Sequence, residues 1–169
     1  MTKRRPAKTL EEIHVRNEFR PGDAGRLIEL HGLLYSKEYG FDHTFEAYVA
    51  KPLAEFMLRN SPRERIWLVD HDGILMGSIA IVEHSESDAQ LRWYLLHPTL
   101  RGKGLGRRLV EDAVVFCRDA DYKSVFLWTV SSLHVAALVY EKAGFRMGEQ
   151  KTHKIWGKTL TEQRYDLEL

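Results

Sequence analysis

A short stretch near the middle of the chain alternates glycines with cationic side chains. Gly102, Gly104 and Gly106 occupy every second position. The cations between and beside them are Arg101, Lys103, Arg107 and Arg108. Glycine lets a backbone approach a bound group closely, and clustered cations attract anions. These residue types could therefore bind a phosphate, although glycines that only form a tight turn would show the same spacing.

The flanking residues indicate a strand before this stretch and a helix after it. The apolar, aromatic-rich residues 91–96 have the composition of a buried strand, and Pro98 ends it because proline cannot donate to a sheet ladder. In residues 105–117 the apolar positions recur at the spacing of one helix face. The first N–H groups of a helix have no intrahelical partner, and the helix dipole favours an anion there. Strand, glycine turn and helix start therefore make a natural anion site.

Two common phosphate-binding motifs do not fit the stretch. A P-loop requires Ser or Thr after its GK pair, whereas Gly104 follows Lys103. A dinucleotide-binding loop has GxGxxG spacing and an acidic residue about 20 positions later. This chain has GxGxG instead, and the region around Phe126 is apolar. The predicted anion site therefore belongs to neither class.

The motif that fits is Gln or Arg followed by x-x-G-x and then Gly or Ala, here Arg101, Gly104 and Gly106. It resembles the acyl-CoA pyrophosphate loop of the GNAT superfamily of N-acetyltransferases. Those enzymes continue with a long helix, a strand and a helix that carries L-Y-x-x-x-G-F. This chain continues in the same order and reads VYEKAGF at residues 139–145. The resemblance covers about residues 64–150 and loosely the flanks.

The order of the predicted elements agrees with this resemblance. Hydrophobic periodicity predicts β-α-α-β-β-β-α-β-α-β-β along the chain. With the resemblance, this order indicates an α/β fold: a GNAT-like mixed, mostly antiparallel central sheet of about seven strands, with helices on both faces. Within it we expect Pro52 to kink or break the second helix. We also expect residues 150–158 to be irregular and Ser131 or Ser132 to cap the last helix.

Length and composition favour one globular domain. The 169 residues are 44% hydrophobic and carry a net charge of +1, so no global field argues for nucleic acid or membrane binding. We expect a disordered basic tail at residues 1–10 and a single acetyltransferase domain at residues 11–169. The histidines lack metal-binding spacing, and no apolar run reaches membrane-spanning length. We expect the single cysteine, Cys117, to pack on the apolar face of the helix at residues 105–117. A chain with one cysteine fits a reducing cytoplasm.

The resemblance implies acetyl-CoA as co-substrate and no metal. The residues whose backbone would hold the pyrophosphate are Gly102, Lys103, Gly104, Leu105, Gly106 and Arg107, with Arg101 adding charge. The strand before the loop would splay from its neighbour. The pantetheine arm would then pair with backbone groups of Tyr94, Leu95 and Leu96, and one N–H there would bind the oxyanion. Many relatives carry Asn early in the last helix; here Leu133 replaces it, and Ser132 could take over its contact.

Amide formation from a thioester also needs an acid for the departing thiolate and a base for the amine. In the resembling family the acid is the tyrosine of L-Y-x-x-x-G-F, which is Tyr140 here. The alternative is a core tyrosine on the apolar face of its helix. Family members often place a carboxylate base near the end of the third strand, where this chain has Glu83. Glu46, His153 and a chain of waters stay open as alternatives.

Taken together, the resemblance implies an N-acetyltransferase that transfers the acetyl group of acetyl-CoA directly to the amine of a small molecule. In the resembling family, the aromatic-rich helix joint at residues 35–48 overhangs the acceptor site. That joint and the segment around Trp156 would enclose the acceptor. The alternatives are a non-catalytic CoA-binding sensor or interaction module and a protein or peptide N-acetyltransferase. The final strand, residues 160–169, could pair across a homodimer or within one chain.

The chain also resembles the acetyltransferase half of proteins that join a MarR-type winged helix to such a domain. The segments that carry this likeness are EYGFDHTFEA, AQLRWYLLHP, SVFLWT and LTEQRYDLEL. The 169 residues contain no helix-turn-helix segment. We therefore expect a free-standing version of the domain, without DNA binding.

Overall fold

The structure, a computed structural model, describes residues 13–169 and contains seven strands and four helices. The strands are β1 (Ile13–Arg16), β2 (Arg65–His71), β3 (Ile74–Glu83), β4 (Asp88–Leu96), β5 (Ser124–Val130), β6 (Arg146–Ile155) and β7 (Lys158–Glu168). The helices are α1 (Asp23–Tyr39), α2 (Thr44–Arg59), α3 (Leu105–Asp119) and α4 (His134–Lys142), with a 3-10 turn (Pro98–Leu100) before α3. The predicted order of elements is confirmed. The predicted tail, residues 1–10, lies outside the described residues.

All seven strands form one sheet in the order β1-β2-β3-β4-β5-β7-β6. Every neighbouring pair is antiparallel except β4 and β5, which run parallel. This parallel pairing joins only residues 88–90 of β4 to residues 124–126 of β5. The two strands separate beyond that point, although both continue. The predicted splay of β4 from β5 is therefore present, and it opens the sheet near its centre.

Helices cover both faces of the sheet, as predicted. Alternate side chains of β2 show how the two cores are divided. Trp67 and Val69 join a cluster with α3 and α4, whereas Ile66 and Leu68 join a cluster with α1 and α2. All four side chains are buried. The sequence of β2 is therefore a continuous apolar run rather than an alternation of apolar and polar residues. None of the helices in the described residues is long and apolar enough to cross a membrane.

A β-bulge in β4 changes which side chains reach each face. Ala80 of β3 pairs with Arg92 of β4. Two residues earlier in β3, Ser78 pairs with Leu95, so β4 contains one extra residue. Trp93 lies in the bulge with a φ of 48°. The fully buried Ser78 hydroxyl donates a hydrogen bond of 2.6 Å to the Trp93 carbonyl, and this bond holds the bulge in place.

Helix α2 does not break at Pro52, because the helix runs from Thr44 to Arg59 with proline inside it. Proline removes one backbone hydrogen bond. The buried face of α2, which includes Val49, Leu53 and Phe56, outweighs this loss through tertiary packing.

The prediction that residues 150–158 are irregular is wrong. β6 extends to Ile155 and pairs with β7 through a turn at Trp156 and Gly157. Nearly all side chains of β6 are exposed, so the strand lacks the apolar alternation that sequence analysis detects. β7 pairs with β5 and β6 of the same chain.

Helix α4 begins at His134, and neither Ser131 nor Ser132 caps it. The backbone N–H of Leu133 instead bonds to the Val130 carbonyl, so a turn separates β5 from the helix. The predicted serine cap is therefore wrong.

The Cys117 side chain lies on the buried face of α3 and packs in the core, as predicted. Burial raises the pKa of its thiol to about 12. The thiol therefore stays protonated at neutral pH and is a poor nucleophile.

Substituting Ser78 with Ala should lower the free energy of unfolding by about 1–2 kcal/mol, because the buried Trp93 carbonyl loses its hydrogen bond. Urea unfolding monitored by circular dichroism measures the change. Ser36→Ala, at an exposed position of α1, is the matched control and should stay within about 0.5 kcal/mol of wild type. Equal stability of the two variants would show that this bond does not hold the bulge.

Candidate active site

The glycine loop connects the 3-10 turn to α3. Gly102 and Gly104 have φ values of 74° and 80°, in the left-handed region that favours glycine. A Cβ at either position would meet nothing within 4 Å, so the space beside both residues is open. None of the backbone N–H groups of residues 102–107 donates a hydrogen bond to another described residue. Helix α3 also lacks a capping side chain and an acidic residue in its first turn. The loop therefore presents bare amides at the positive end of a helix dipole.

The cations around the loop differ in what they contact. Arg101 binds Glu38 of α1 through two hydrogen bonds of 2.8 and 2.9 Å, and it donates a third to the Leu96 carbonyl. Arg101 therefore ties α1 to the end of β4 rather than offering a free charge. Arg107 pairs with a carboxylate one turn along α3, at 2.7 Å. Lys103 has no ion-pair partner within residues 13–169, so its charge is available to a ligand.

An outer groove of about 550 Å³ runs from this loop along the open end of β4, between α1 and α4. The predicted CoA-contact residues that line it are Tyr94, Leu95, Leu96, Arg101, Gly102, Gly104, Gly106, Arg107 and Ser132. Lys103 and Leu105 belong to the loop but do not line the groove. The groove therefore joins the bare amides of the loop to the unpaired end of β4.

The absence of a side chain at Gly106 lets the Tyr94 ring approach the backbone of α3 closely. A Cβ at Gly106 would collide with the Tyr94 hydroxyl. Glycine at this position therefore lets the Tyr94 ring lie directly against the first turn of α3. Burial raises the pKa of Tyr94 to about 12, so this side chain is a neutral wall of the groove at neutral pH.

An inner cavity of about 90 Å³ lies between β4, β5 and the joint of α1 and α2. The aromatic residues of its wall include Tyr35, Phe41, Phe45, Tyr48 and Trp156. Trp156 contacts Phe41, Phe45 and Tyr48 at ring-centroid distances of 5.1, 4.9 and 5.0 Å. The turn between β6 and β7 therefore packs against the helix joint along one wall of the cavity.

The two cavities meet at Tyr35, Tyr94 and Leu133, which line both of them. These shared residues lie beside the gap that the separation of β4 and β5 creates. Leu133 stands where many family members carry Asn, so this chain presents hydrocarbon to both cavities at that position. The outer groove and the inner cavity are therefore adjacent, with these three side chains at their common boundary.

Tyr140 lines the inner cavity and contacts the rings of Tyr94 and Tyr165, at centroid distances of 5.8 and 5.9 Å. Its side chain is buried, yet the hydroxyl has no hydrogen-bond partner among residues 13–169. Burial, with smaller effects from Tyr35 and Tyr94, raises the pKa of the Tyr140 hydroxyl well above its ordinary value. The hydroxyl therefore stays protonated and can donate its proton to a developing anion.

Glu83, the predicted base, lines neither cavity. Arg63 holds its carboxylate at 2.8 Å, and its backbone N–H donates to Glu64. Glu83 pairs with Ala89, at the end of β4 where β4 and β5 are still joined. The structure therefore does not bring Glu83 to Tyr140, because the cavities lie at the opposite, open end of these strands.

Glu162 of β7 is the carboxylate that lines the inner cavity. Its side chain is only 11% exposed and lies 2.5 Å from His153 Nε2 and 3.7 Å from Lys151. Glu162 sits opposite Val130, where β5 borders the opening. In the sequence, polar Arg164, Asp166 and Glu168 alternate with apolar residues, a pattern that would put Glu162 on the solvent-exposed face of the strand. Its role could be found only from the order of strands in the sheet.

This arrangement can bring a donor and an acceptor together for group transfer. The bare amides fit a pyrophosphate, and the unpaired end of β4 fits the peptide-like pantetheine arm of acetyl-CoA. Tyr140 and Glu162 then lie on the wall of the inner cavity, where an acceptor would bind. Among residues 13–169, no cluster of His, Cys, Asp or Glu side chains is placed to hold a metal ion.

Comparison with known proteins agrees with this geometry. The sequence model of the Acetyltransferase (GNAT) family matches residues 26–145. A relative from Escherichia coli (strain K12), named uncharacterized N-acetyltransferase YjgM, is 32% identical over 115 residues. That match covers 65% of this chain and 69% of the relative.

Solved structures share the fold at low sequence identity. An N-acetyltransferase from Staphylococcus aureus Mu50 has a TM-score of 0.75 and 14% identity, covering 93% of this chain and 98% of that protein. A GNAT family acetyltransferase from Elizabethkingia anophelis, solved with acetyl-CoA bound, has a TM-score of 0.62 and 16% identity, covering 93% and 98%. The extent of the family match and the identity of the relative lead to one conclusion: the chain belongs to the Acetyltransferase (GNAT) family.

Proposed function

We propose that this protein transfers the acetyl group of acetyl-CoA to the amine of a small molecule held in the inner cavity. The observation that carries the proposal is that the outer groove and the inner cavity are adjacent beside the gap between β4 and β5, and that Tyr140 lines the inner cavity. Membership of an acetyltransferase family supports the chemistry, and an enzyme is favoured over a CoA-binding module because a second, separate cavity adjoins the groove.

The outer groove would bind the donor. Backbone amides of residues 102–107 would hold the pyrophosphate, with Lys103 and the dipole of α3 adding positive potential. The pantetheine arm would lie along the open end of β4 and bond to backbone groups of Tyr94, Leu95 and Leu96. A backbone N–H of this segment would also bind the oxyanion that forms during transfer. Ser132 lines the same groove and offers a hydroxyl where Leu133 lacks the family's amide.

The transfer step would then be a direct attack by the amine. The neutral amine nitrogen forms a bond to the carbonyl carbon of the thioester, and the C–S bond breaks. The departing sulfur takes the proton of the Tyr140 hydroxyl. The nitrogen gives up one proton, which returns through water to Tyr140, so the products are the acetamide and free CoA.

An acceptor that enters as an ammonium must first lose a proton. We infer that Glu162 takes this proton, directly or through a water molecule, because it is the carboxylate that lines the inner cavity. His153 lies 2.5 Å from Glu162 and can pass the proton to solvent, since its side chain is 39% exposed. Glu83 is less suitable because it lines neither cavity.

The size of the inner cavity favours a small acceptor over a protein. The inner cavity has a volume of about 90 Å³, which is small for a ligand site. A peptide would need a longer binding surface than this cavity offers. Peptide acetylation therefore ranks below small-molecule acetylation.

Three broader features remain predictions. A cytoplasmic location is supported by the lone, buried thiol of Cys117. A homodimer is not required by the sheet, since β7 pairs within the chain. The likeness to the acetyltransferase half of MarR-type fusions concerns the domain alone and implies no DNA binding.

Replacing Tyr140 with Phe should lower kcat by about 100- to 1,000-fold, because the thiolate loses its acid. The Kd for CoA should change less than about twofold, since phenylalanine preserves the packing. Turnover of acetyl-CoA with an accepted amine and calorimetric CoA binding measure the two quantities. Tyr165→Phe removes a neighbouring buried hydroxyl and is the matched control. A kcat within about threefold of wild type would contradict the acid role.

Glu162→Gln should lower kcat/KM at neutral pH by about 100-fold or more, because glutamine cannot accept the ammonium proton. The loss should shrink as the pH rises toward the pKa of the acceptor amine, where the free amine predominates. The pH profile of kcat/KM from pH 6 to 10 measures this dependence. Glu168→Gln, an exposed position on the same strand, is the control. A large loss in Glu83→Gln with normal activity in Glu162→Gln would instead assign the base to Glu83.

A further inference from the structure

In the described residues, three side-chain polar atoms that solvent does not reach have no hydrogen-bond partner, and the residues that carry them all line the inner cavity. The unpartnered atoms are His31 Nε2, Trp93 Nε1 and Thr129 Oγ1. His31 is 2% exposed, Trp93 is 7% exposed and Thr129 is 9% exposed. A buried polar group without a partner is costly, so a cavity lined by three of them is suited to a ligand that supplies the missing partners. Amines with only a hydrocarbon body cannot supply them all.

The hydrogen-bonding role of each atom follows from chemistry. His31 Nδ1 lies 2.8 Å from the Leu27 carbonyl, which can only accept, so Nδ1 carries the proton and Nε2 is an acceptor. Burial lowers the pKa of His31 to about 4, against the effect of the Leu27 bond, so the ring is neutral at neutral pH. The indole of Trp93 can only donate, and the Thr129 hydroxyl can do both. The cavity therefore needs a ligand with both donors and acceptors.

A cation and an anion also border the cavity without joining each other. Arg92 and Glu162 both line it, and no ion pair joins them or pairs Arg92 with another described carboxylate. Both charges act on the Tyr48 hydroxyl: burial raises its pKa most, Arg92 lowers it and Glu162 raises it. The guanidinium lies 5.5 Å from the centre of the Tyr48 ring and 5.3 Å from that of Trp93. Both charges therefore lie close enough to Tyr48 to act on its hydroxyl.

Arg92 and Trp93 are neighbours at the bulge in β4, and both line the inner cavity. A guanidinium and an indole N–H are therefore available to one ligand. Both groups donate hydrogen bonds, and a guanidinium matches the two oxygens of a carboxylate.

We propose that the acceptor is a small amino acid or close analogue, whose carboxylate binds Arg92 and Trp93 Nε1 while its amine faces Glu162 and Tyr140. This inference rests on the proposed acetyl transfer and names the substrate class of that site. The unpartnered His31 Nε2 and Thr129 Oγ1 favour an acceptor side chain that carries a hydrogen-bond donor rather than a purely apolar one. A cavity of about 90 Å³ limits that side chain to modest size.

The test compares amino acids with the amines that remain when only the carboxylate is removed. Serine, threonine and asparagine are each assayed beside the matching decarboxylated amine and the matching amino-acid amide. We expect kcat/KM for at least one amino acid to exceed that of its amine by about 100-fold. In Arg92→Gln this preference should fall below about fivefold, and Arg92→Lys should restore part of it. Arg118→Gln, an exposed cation at the end of α3, should leave the preference unchanged.

A second measurement does not depend on turnover. Trp93 and Trp156 line the cavity, so acceptor binding to the CoA complex should change tryptophan fluorescence. Amino acids should change it at concentrations at which their decarboxylated amines do not, and Arg92→Gln should abolish the difference. Thermal melting checks that each variant is folded.

The outcomes separate this inference from the proposed function. Acetylation of amines with no preference for a carboxylate, or a preference that survives Arg92→Gln, would overturn the inference and leave acetyl transfer intact. If no amine is acetylated, acetyl transfer fails, and the fluorescence titration then decides alone. Arg92-dependent binding of amino acids would support the site, and the absence of such binding would overturn it.

Discussion

The early end of hydrogen bonding between β4 and β5 is the constraint on which the site depends. Parallel pairing stops after Gln90 and Phe126, while both strands continue. On its β5 side, the end of β4 therefore lacks the ladder partners that a closed sheet provides, and buried backbone groups without partners cost about 1–3 kcal/mol each. The rest of the chain keeps this gap open. A ligand with amide groups that lies along β4 can supply the missing hydrogen bonds.

Several packing features hold the end of β4 in place. On the β3 side, Gly77 allows close approach, because a Cβ there would lie 2.8 Å from the Leu95 carbonyl oxygen. The Ser78 hydroxyl binds the bulge, and Arg101 links the Leu96 carbonyl to Glu38 of α1. These contacts come from three elements that surround the end of the strand. The free edge is therefore rigid before a ligand arrives, which reduces the entropy cost of binding.

The sequence predicted those parts of the site whose chemistry is local. The glycine loop combines positive φ, open space and a helix start within a few consecutive residues, so its pattern is visible without a fold. The groove residues Tyr94, Leu95 and Leu96 follow from their place before that loop. Tyr140 is also marked by its neighbours in sequence, and the structure places it on the cavity wall beside Tyr94.

The parts of the site that depend on distant pairings could not be predicted in the same way. Glu162 reaches the cavity because β7 lies beside β5, an order that no local pattern encodes. His31 fell on the apolar face of its helix, where a packed histidine is the ordinary interpretation. Arg92 and Trp93 lie at a bulge in β4 and line the same cavity, and neither fact is encoded in a local sequence pattern. Glu83 is the opposite case. The sequence correctly placed it at the end of a strand, but β4 and β5 are still paired beside that end.

The central claim is that the amides of residues 102–107 are bare and bind the diphosphate of the donor. Hydrogen exchange of these amides, followed by NMR on labelled protein with and without saturating CoA, tests it most directly. The account predicts that CoA slows exchange at Gly102, Gly104 and Gly106 by about tenfold or more, with smaller changes in the rest of α3. If CoA binds while these amides exchange at unchanged rates, the donor lies elsewhere and the account is wrong.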